Sequence, residues 1–83
     1  MKSIDTKELL DFEDAWPRWS GRKDEAIRAR FAVPPARYFQ VLNQRIDTAE
    51  ALEANPMLVL RLRRRRDAAA AVQRRRHRSA AVA

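Results

Sequence analysis

An all-α fold is the prediction for this chain of 83 residues. Three observations carry it. Apolar residues return at helical spacing, capping signals stand ahead of those runs, and no stretch alternates apolar with polar residues as a half-buried strand would. The four prolines and the single glycine fall between the runs rather than inside them.

The first helix is expected to start at "DTKE", Asp5–Glu8. This is a capping box, with an acidic N-cap and a glutamate three residues on. Leu9, Phe12, Trp16 and Trp19 follow at helical spacing, with Glu8, Asp11 and Asp14 on the opposite side. Pro17 should stop the helix near Trp16, because proline has no amide hydrogen to continue the ladder. "SGR" at Ser20–Arg22 supplies a turn, and a second helix is expected from about Arg22 to Arg30.

A corner at Phe31–Pro34 and a third helix over roughly Pro35–Ile46 come next. Proline suits the first helical position, where its missing hydrogen would have no partner anyway, so Pro35 starts the helix. Pro34 is kept out of helical geometry by the proline after it. Two helices so close together form a helix-turn-helix unit. Ile27, Phe31, Val33, Tyr38 and Val41 have the spacing of its shared core. Arg28 stands where such units usually have a small residue, and Ala32 where they usually have glycine. "DTAE" at Asp47–Glu50 signals a short helical piece through Leu52. Asn55 as cap and Pro56 at the first position then open a last helix running to about Arg78.

Charge divides the chain in two. Residues 1–55 carry nine Lys or Arg and ten Asp or Glu, whereas residues 56–83 carry nine Arg and one Asp. The expected organisation is therefore a near-neutral helix-turn-helix body, 1–55, and an arginine-rich C-terminal helix and tail, 56–83. So dense a cationic block usually meets a polyanion. No residues suited to catalysis accompany it. There is no cysteine, one histidine (His77) and three serines, Ser3, Ser20 and Ser79. That is little for nucleophilic or metal chemistry, so no enzyme, metal or cofactor is expected. The acidic, interrupted start is unlike an export signal, and no apolar run is long enough for a membrane span, so a cytoplasmic protein without membrane attachment is expected.

Double-stranded DNA is the expected partner. With Tyr38, Val41, Leu42 and Ile46 turned inward, the third helix presents Ala36, Arg37, Gln40, Asn43 and Gln44. Arg pairs with guanine, and Gln or Asn pairs bidentately with adenine, so these are the candidate base-contacting residues. Arg22 and Lys23 are candidates for phosphate, with Arg61, Arg63, Arg64, Arg65, Arg66, Arg74, Arg75, Arg76 and Arg78. Phe39 has two readings, packing beneath the last helix or touching a thymine methyl. Arg63–Arg66 are consecutive and point nearly all round a helix, so the packed core should end near Leu62 and the helix project beyond it. The acidic side of the first helix is a solvated face, or a contact for the arginine helix when nucleic acid is absent. Deleting Arg61 onward is expected to abolish most binding, and Gln40→Ala to change sequence preference more than strength.

"KDEAIRARF", "PARYFQVLNQ" and "NPMLVLRLRRRRD" resemble, in order and spacing, a family of short actinobacterial proteins catalogued as domain of unknown function 3263. The likeness runs from about Phe12 to Asp67. It departs at Phe39, where a second tyrosine is expected, and at Asn55, where an aspartate is. The resemblance implies a bacterial cytoplasmic protein with a helix-turn-helix similar to those of sigma factors and small regulators, and it implies no activity. A small transcriptional regulator or nucleoid-associated protein is the leading expectation. The rivals are an RNA-binding or ribosome-associated factor, and a module that docks on RNA polymerase through Trp16, Trp19 and the acidic helix. A homodimer is compatible with all of these.

Overall fold

The computed structural model describes residues 4–82, with side chains as far as Arg78. Ser3, the side chain of Ser79 and the tail's last residue, Ala83, lie outside that description. Five helices follow one another: α1 Thr6–Ala15, α2 Gly21–Phe31, α3 Pro35–Arg45, α4 Ala49–Ala54 and α5 Pro56–Val82. No strand occurs among the described residues, so the chain is all-α.

Local chemistry explains most of the boundaries. The Asp5 carboxylate accepts the Glu8 amide at 3.2 Å and starts α1. The helix closes with the Trp16 amide on the Phe12 carbonyl, one residue before Pro17. Trp19, expected to continue the apolar face of this helix, instead lies beyond it. It is 69% exposed because Pro17 has already turned the chain away. The Ser20 hydroxyl accepts the Lys23 amide at 3.1 Å, so α2 begins at Gly21. Ala32 ends α2 in the left-handed region at φ 56°, the conformation for which the missing glycine would be suited. Pro34 is extended, and Pro35 opens α3 as the sequence predicts.

Asp47 does not cap α4. Thr48 does, accepting the Ala51 amide at 3.2 Å, and the helix runs to Ala54 rather than Leu52. The Asn55 side chain accepts the Leu58 amide at 3.3 Å and starts α5. This last helix continues to Val82, past the expected end near Arg78. At 1.5 Å per residue it is roughly 40 Å long. It accounts for most of the molecule's longest dimension of 45 Å.

The core joins all five helices. Leu9, Leu10 and Phe12 of α1 meet Ile27 of α2, Tyr38, Val41 and Leu42 of α3, Ala51 of α4, and Leu58, Val59 and Leu62 of α5. The division at residue 55 is thus one of charge, since the first two turns of α5 complete the core of the body. Aromatic rings form the centre between α1, α2 and α3. Phe12, Phe31 and Tyr38 lie 5.3–5.5 Å apart, with Phe39 edge-on to Tyr38 at 5.1 Å. Such contacts add about 0.5–1.5 kcal/mol per pair beyond the area they bury.

One polar group is buried among these rings. The Glu13 carboxylate, 2% exposed, accepts the Lys23 ammonium at 2.9 Å and the Tyr38 hydroxyl at 2.8 Å. Three helices are thereby fixed to one residue. Burial, and then the neighbouring Glu13 carboxylate, push the Tyr38 hydroxyl far above its ordinary pKa of 10.0.

Ala32→Gly should stabilise the fold by about 0.5–1 kcal/mol by relieving the left-handed alanine, as read by chemical denaturation. Glu13→Ala should destabilise it by about 3–5 kcal/mol, because it leaves the Lys23 charge buried alone. A tyrosine whose pKa is raised on folding stabilises fully below pH 10.0 and loses that contribution as pH rises further. The stability of Tyr38→Phe should therefore decline less above pH 10.0 than that of the wild type.

Candidate nucleic-acid interface

The outward side of α3 follows from its inward side. Tyr38, Val41 and Leu42, with Ile46 just after the helix, are buried, which turns Ala36, Arg37, Gln40, Asn43 and Gln44 to solvent. All five are exposed, with Asn43 at the edge nearest α5. Arg37 donates to the Gln40 side-chain oxygen at 2.9 Å, one turn along. The face therefore presents a guanidinium and three amides on a helix held rigidly from behind. Phe39 belongs to the packing: it is half-buried against Tyr38 and lies under the Lys23 ammonium at 5.5 Å.

The two body residues expected at phosphates separate. Arg22 is exposed near the start of α2. Lys23 is 3% exposed and paired with Glu13, so it is withdrawn from any surface contact. Its position three residues after the Ser20 cap turns it toward the α1–α3 interior, where Glu13 is waiting.

The arginines of α5 also separate, into a set engaged by the body and a set without partners. Arg63 donates through Nε to the Ile46 carbonyl at 2.5 Å, and Arg66 to the Asn43 carbonyl at 3.4 Å. These carbonyls close the C-terminal turn of α3, where the helix dipole favours a cation. Asp47 reinforces both, 2.8 Å from Arg66 and 3.9 Å from Arg63. The Asp47 hydrogen bond, more than any other influence, holds the Arg66 guanidinium still more firmly protonated than usual. Arg65 donates to the Pro17 carbonyl at 3.0 Å. Arg61 stands 3.9 Å from Asp14, a pair exposed on both sides and worth little.

The expectation of a helix leaving the body directly after Leu62 is corrected accordingly. The apolar core ends there, but arginines bind the next turn to α3 and to the α1–α2 loop. Arg63 and Arg66 follow Val59 and Leu62 at i+4 and so extend the buried stripe, which the run of four arginines concealed. Among the described residues, Arg64, Arg74, Arg75, Arg76 and Arg78 have no hydrogen-bond or ion-pair partner, and all are exposed. Asp14 makes the only ion pair between α1 and α5 among these residues; Glu8 and Asp11 make none.

A cavity of about 310 Å³ lies where α3 and α5 diverge, between Phe39, Leu62, Ala69 and Trp19, with Arg65 and Arg66 at its edge. The Trp19 indole is steadied by its hydrogen bond to Asp24 at 3.2 Å. Helical spacing groups Trp19 with the apolar side of α1, and the polymerase-docking alternative uses it as a surface residue; what spacing does not show is its place beside Arg65 and Arg66.

Over residues 3–79 the chain matches the family model described as Protein of unknown function (DUF3263). It belongs to that family. No curated protein and no solved structure matches it. The match extends beyond Phe12–Asp67 to take in the start of α1 and most of α5. The DUF3263 region thus includes the α3 face and the partnerless arginines alike. No helix among the described residues is long and apolar enough to cross a membrane.

Asp47 is the residue that keeps Arg66, with Arg63, turned toward the body. Asp47→Asn should release Arg66; were α5 to meet duplex DNA, this would raise affinity and steepen the dependence of log affinity on log salt by about one. Fluorescence anisotropy at several salt concentrations measures both, and an unchanged slope would show that Asp47 does not compete with phosphate.

Proposed function

We propose that the chain is a non-enzymatic DNA-binding protein. In this reading α3 enters the major groove, and the distal part of α5 lies along the phosphates. The setting is the nucleoid of an actinobacterial cell, and the role is that of a small transcriptional regulator or a nucleoid-associated protein.

The observation that carries the reading is a pairing of surfaces. An uncovered helix face of Arg, Gln and Asn stands on the same body as five arginines without partners, Arg64, Arg74, Arg75, Arg76 and Arg78. Repulsion among cations spaced three and four residues apart on a helix destabilises it. A phosphate backbone removes that repulsion and gains the free energy of released counterions. The α3 face then reads bases, with Arg37 suited to guanine and Gln40, Asn43 and Gln44 suited to adenine. One short helix reads few base pairs, so broad chromosomal binding is favoured over a single operator.

Trp19 supports a second reading. A fixed, exposed indole near Arg65 is the kind of platform on which an unpaired base stacks, which favours structured RNA. Competition between duplex DNA and a structured RNA of equal length separates the two.

Deleting Arg61 onward is a poor test of the DNA reading, since it also removes Leu62 and the arginines that close α3. Replacing Arg74, Arg75, Arg76 and Arg78 with alanine leaves those contacts in place. Five phosphate contacts give the wild type a salt slope of about −4 to −5, and the quadruple variant should fall to about −1 with most affinity lost. Gln40→Ala should retain the slope and change base preference. Equal binding by the quadruple variant would overturn the proposal.

A further inference from the structure

A second surface of the body has the opposite character. Between α1 and α2 runs a groove of about 500 Å³, floored by Phe12, Trp16 and Ala26. Glu8 and Asp11 line the α1 side and Arg30 the α2 side. Both carboxylates are exposed and neither has a cationic partner among the described residues. Two carboxylates repel phosphate, so this groove is unsuited to nucleic acid. An aromatic floor beside carboxylates is the setting in which a guanidinium gains most, stacking on the ring while it pairs with the acid.

The chain itself carries such a ligand. Arg74, Arg75 and Arg76 are exposed near the end of α5, with Ala68–Ala71 and Val72 just before them. They cannot reach the groove of their own body. The helix is continuous from Pro56 to Val82, and Arg74 stands twelve residues past the last core side chain, Leu62. That places it roughly 18 Å further along the axis, with no glycine or proline at which the helix could fold back.

We propose that the groove between α1 and α2 takes the arginine arm of a second copy of this chain, in a head-to-tail contact. The groove of one molecule and the arm of another are different surfaces, so the contact does not close on itself and can extend into a chain. It does not depend on DNA binding, and it is tested without nucleic acid.

Sedimentation velocity of the full chain at low salt should show a mean size that rises with concentration and falls as salt screens the contact. Glu8→Arg/Asp11→Arg, and separately Arg74→Glu/Arg75→Glu/Arg76→Glu, should each weaken association by roughly tenfold or more, because each sets like charges against each other. An equimolar mixture of the two variants should restore it, since acidic groove then meets basic arm and basic groove meets acidic arm. Arg30→Ala should strengthen it. All the altered side chains are exposed, and circular dichroism checks that each variant keeps its helices. Should the groove variant lose them, the arm variant alone decides. A wild type that stays monomeric at every concentration and salt overturns the proposal. So does association that survives the charge changes, or a mixture that fails to recover it.

Discussion

The Glu13 carboxylate is the constraint on which the rest of the structure depends. It lies inside a chain too short to bury a large core, and it ties Lys23 of α2 and Tyr38 of α3 to α1. A buried pair of charges is weak as a source of stability, because desolvating both ions offsets much of their attraction. Its effect here is on position. Apolar side chains allow neighbouring helices to slip, whereas a carboxylate with one ammonium and one hydroxyl partner is satisfied in very few arrangements. The rotation of α3 about its axis is set by where Tyr38 must point, and so is the direction of the face that runs from Ala36 to Gln44.

A second set of polar contacts fixes α5 to the same helix. Arg63 and Arg66 bind carbonyls that the end of α3 leaves open, and Asp47 holds both guanidinium groups near them. The start of the arginine helix is thereby placed against the C-terminal end of α3. Cations that look redundant in the sequence thus have two uses. Some complete the fold, and the remainder stand clear of it. In the proposed reading, this fixed geometry lets a sequence-blind attraction act on a helix already oriented to read bases.

Much of this was legible from the residues alone. Asp5, Pro35 and Asn55 act within one turn of their own position, so their effects on helix boundaries are written locally. The inward face of α3 was legible for the same reason, since Tyr38, Val41 and Leu42 share one periodicity. What escaped were contacts between helices. Glu13 is one of four acids in α1; it stands four residues after Leu9 and three before Trp16, on the apolar side and apart from Glu8, Asp11 and Asp14, but spacing does not name the partners that bury it. Lys23 looked like a surface cation until Glu13 was found opposite. Asp47 precedes Thr48, and either could cap α4; Thr48 does, while Asp47 is engaged by Arg63 and Arg66, which are far along the sequence on α5. Trp19 falls at the spacing of the α1 apolar side but beyond the end that Pro17 sets, and its hydrogen bond to Asp24 of α2 is a contact that spacing does not encode.

The central claim is that α3 and the distal arginines meet nucleic acid while the acidic side of α1 does not. Amide and side-chain chemical shifts of the full chain, followed by NMR during titration with duplex DNA, test it directly. At salt high enough to keep the chain monomeric, changes are expected at Arg37, Gln40, Asn43 and Gln44 and at Arg74–Arg78, with Glu8 and Asp11 unmoved. Changes centred on Glu8, Asp11 and Trp16, with α3 silent, would contradict it.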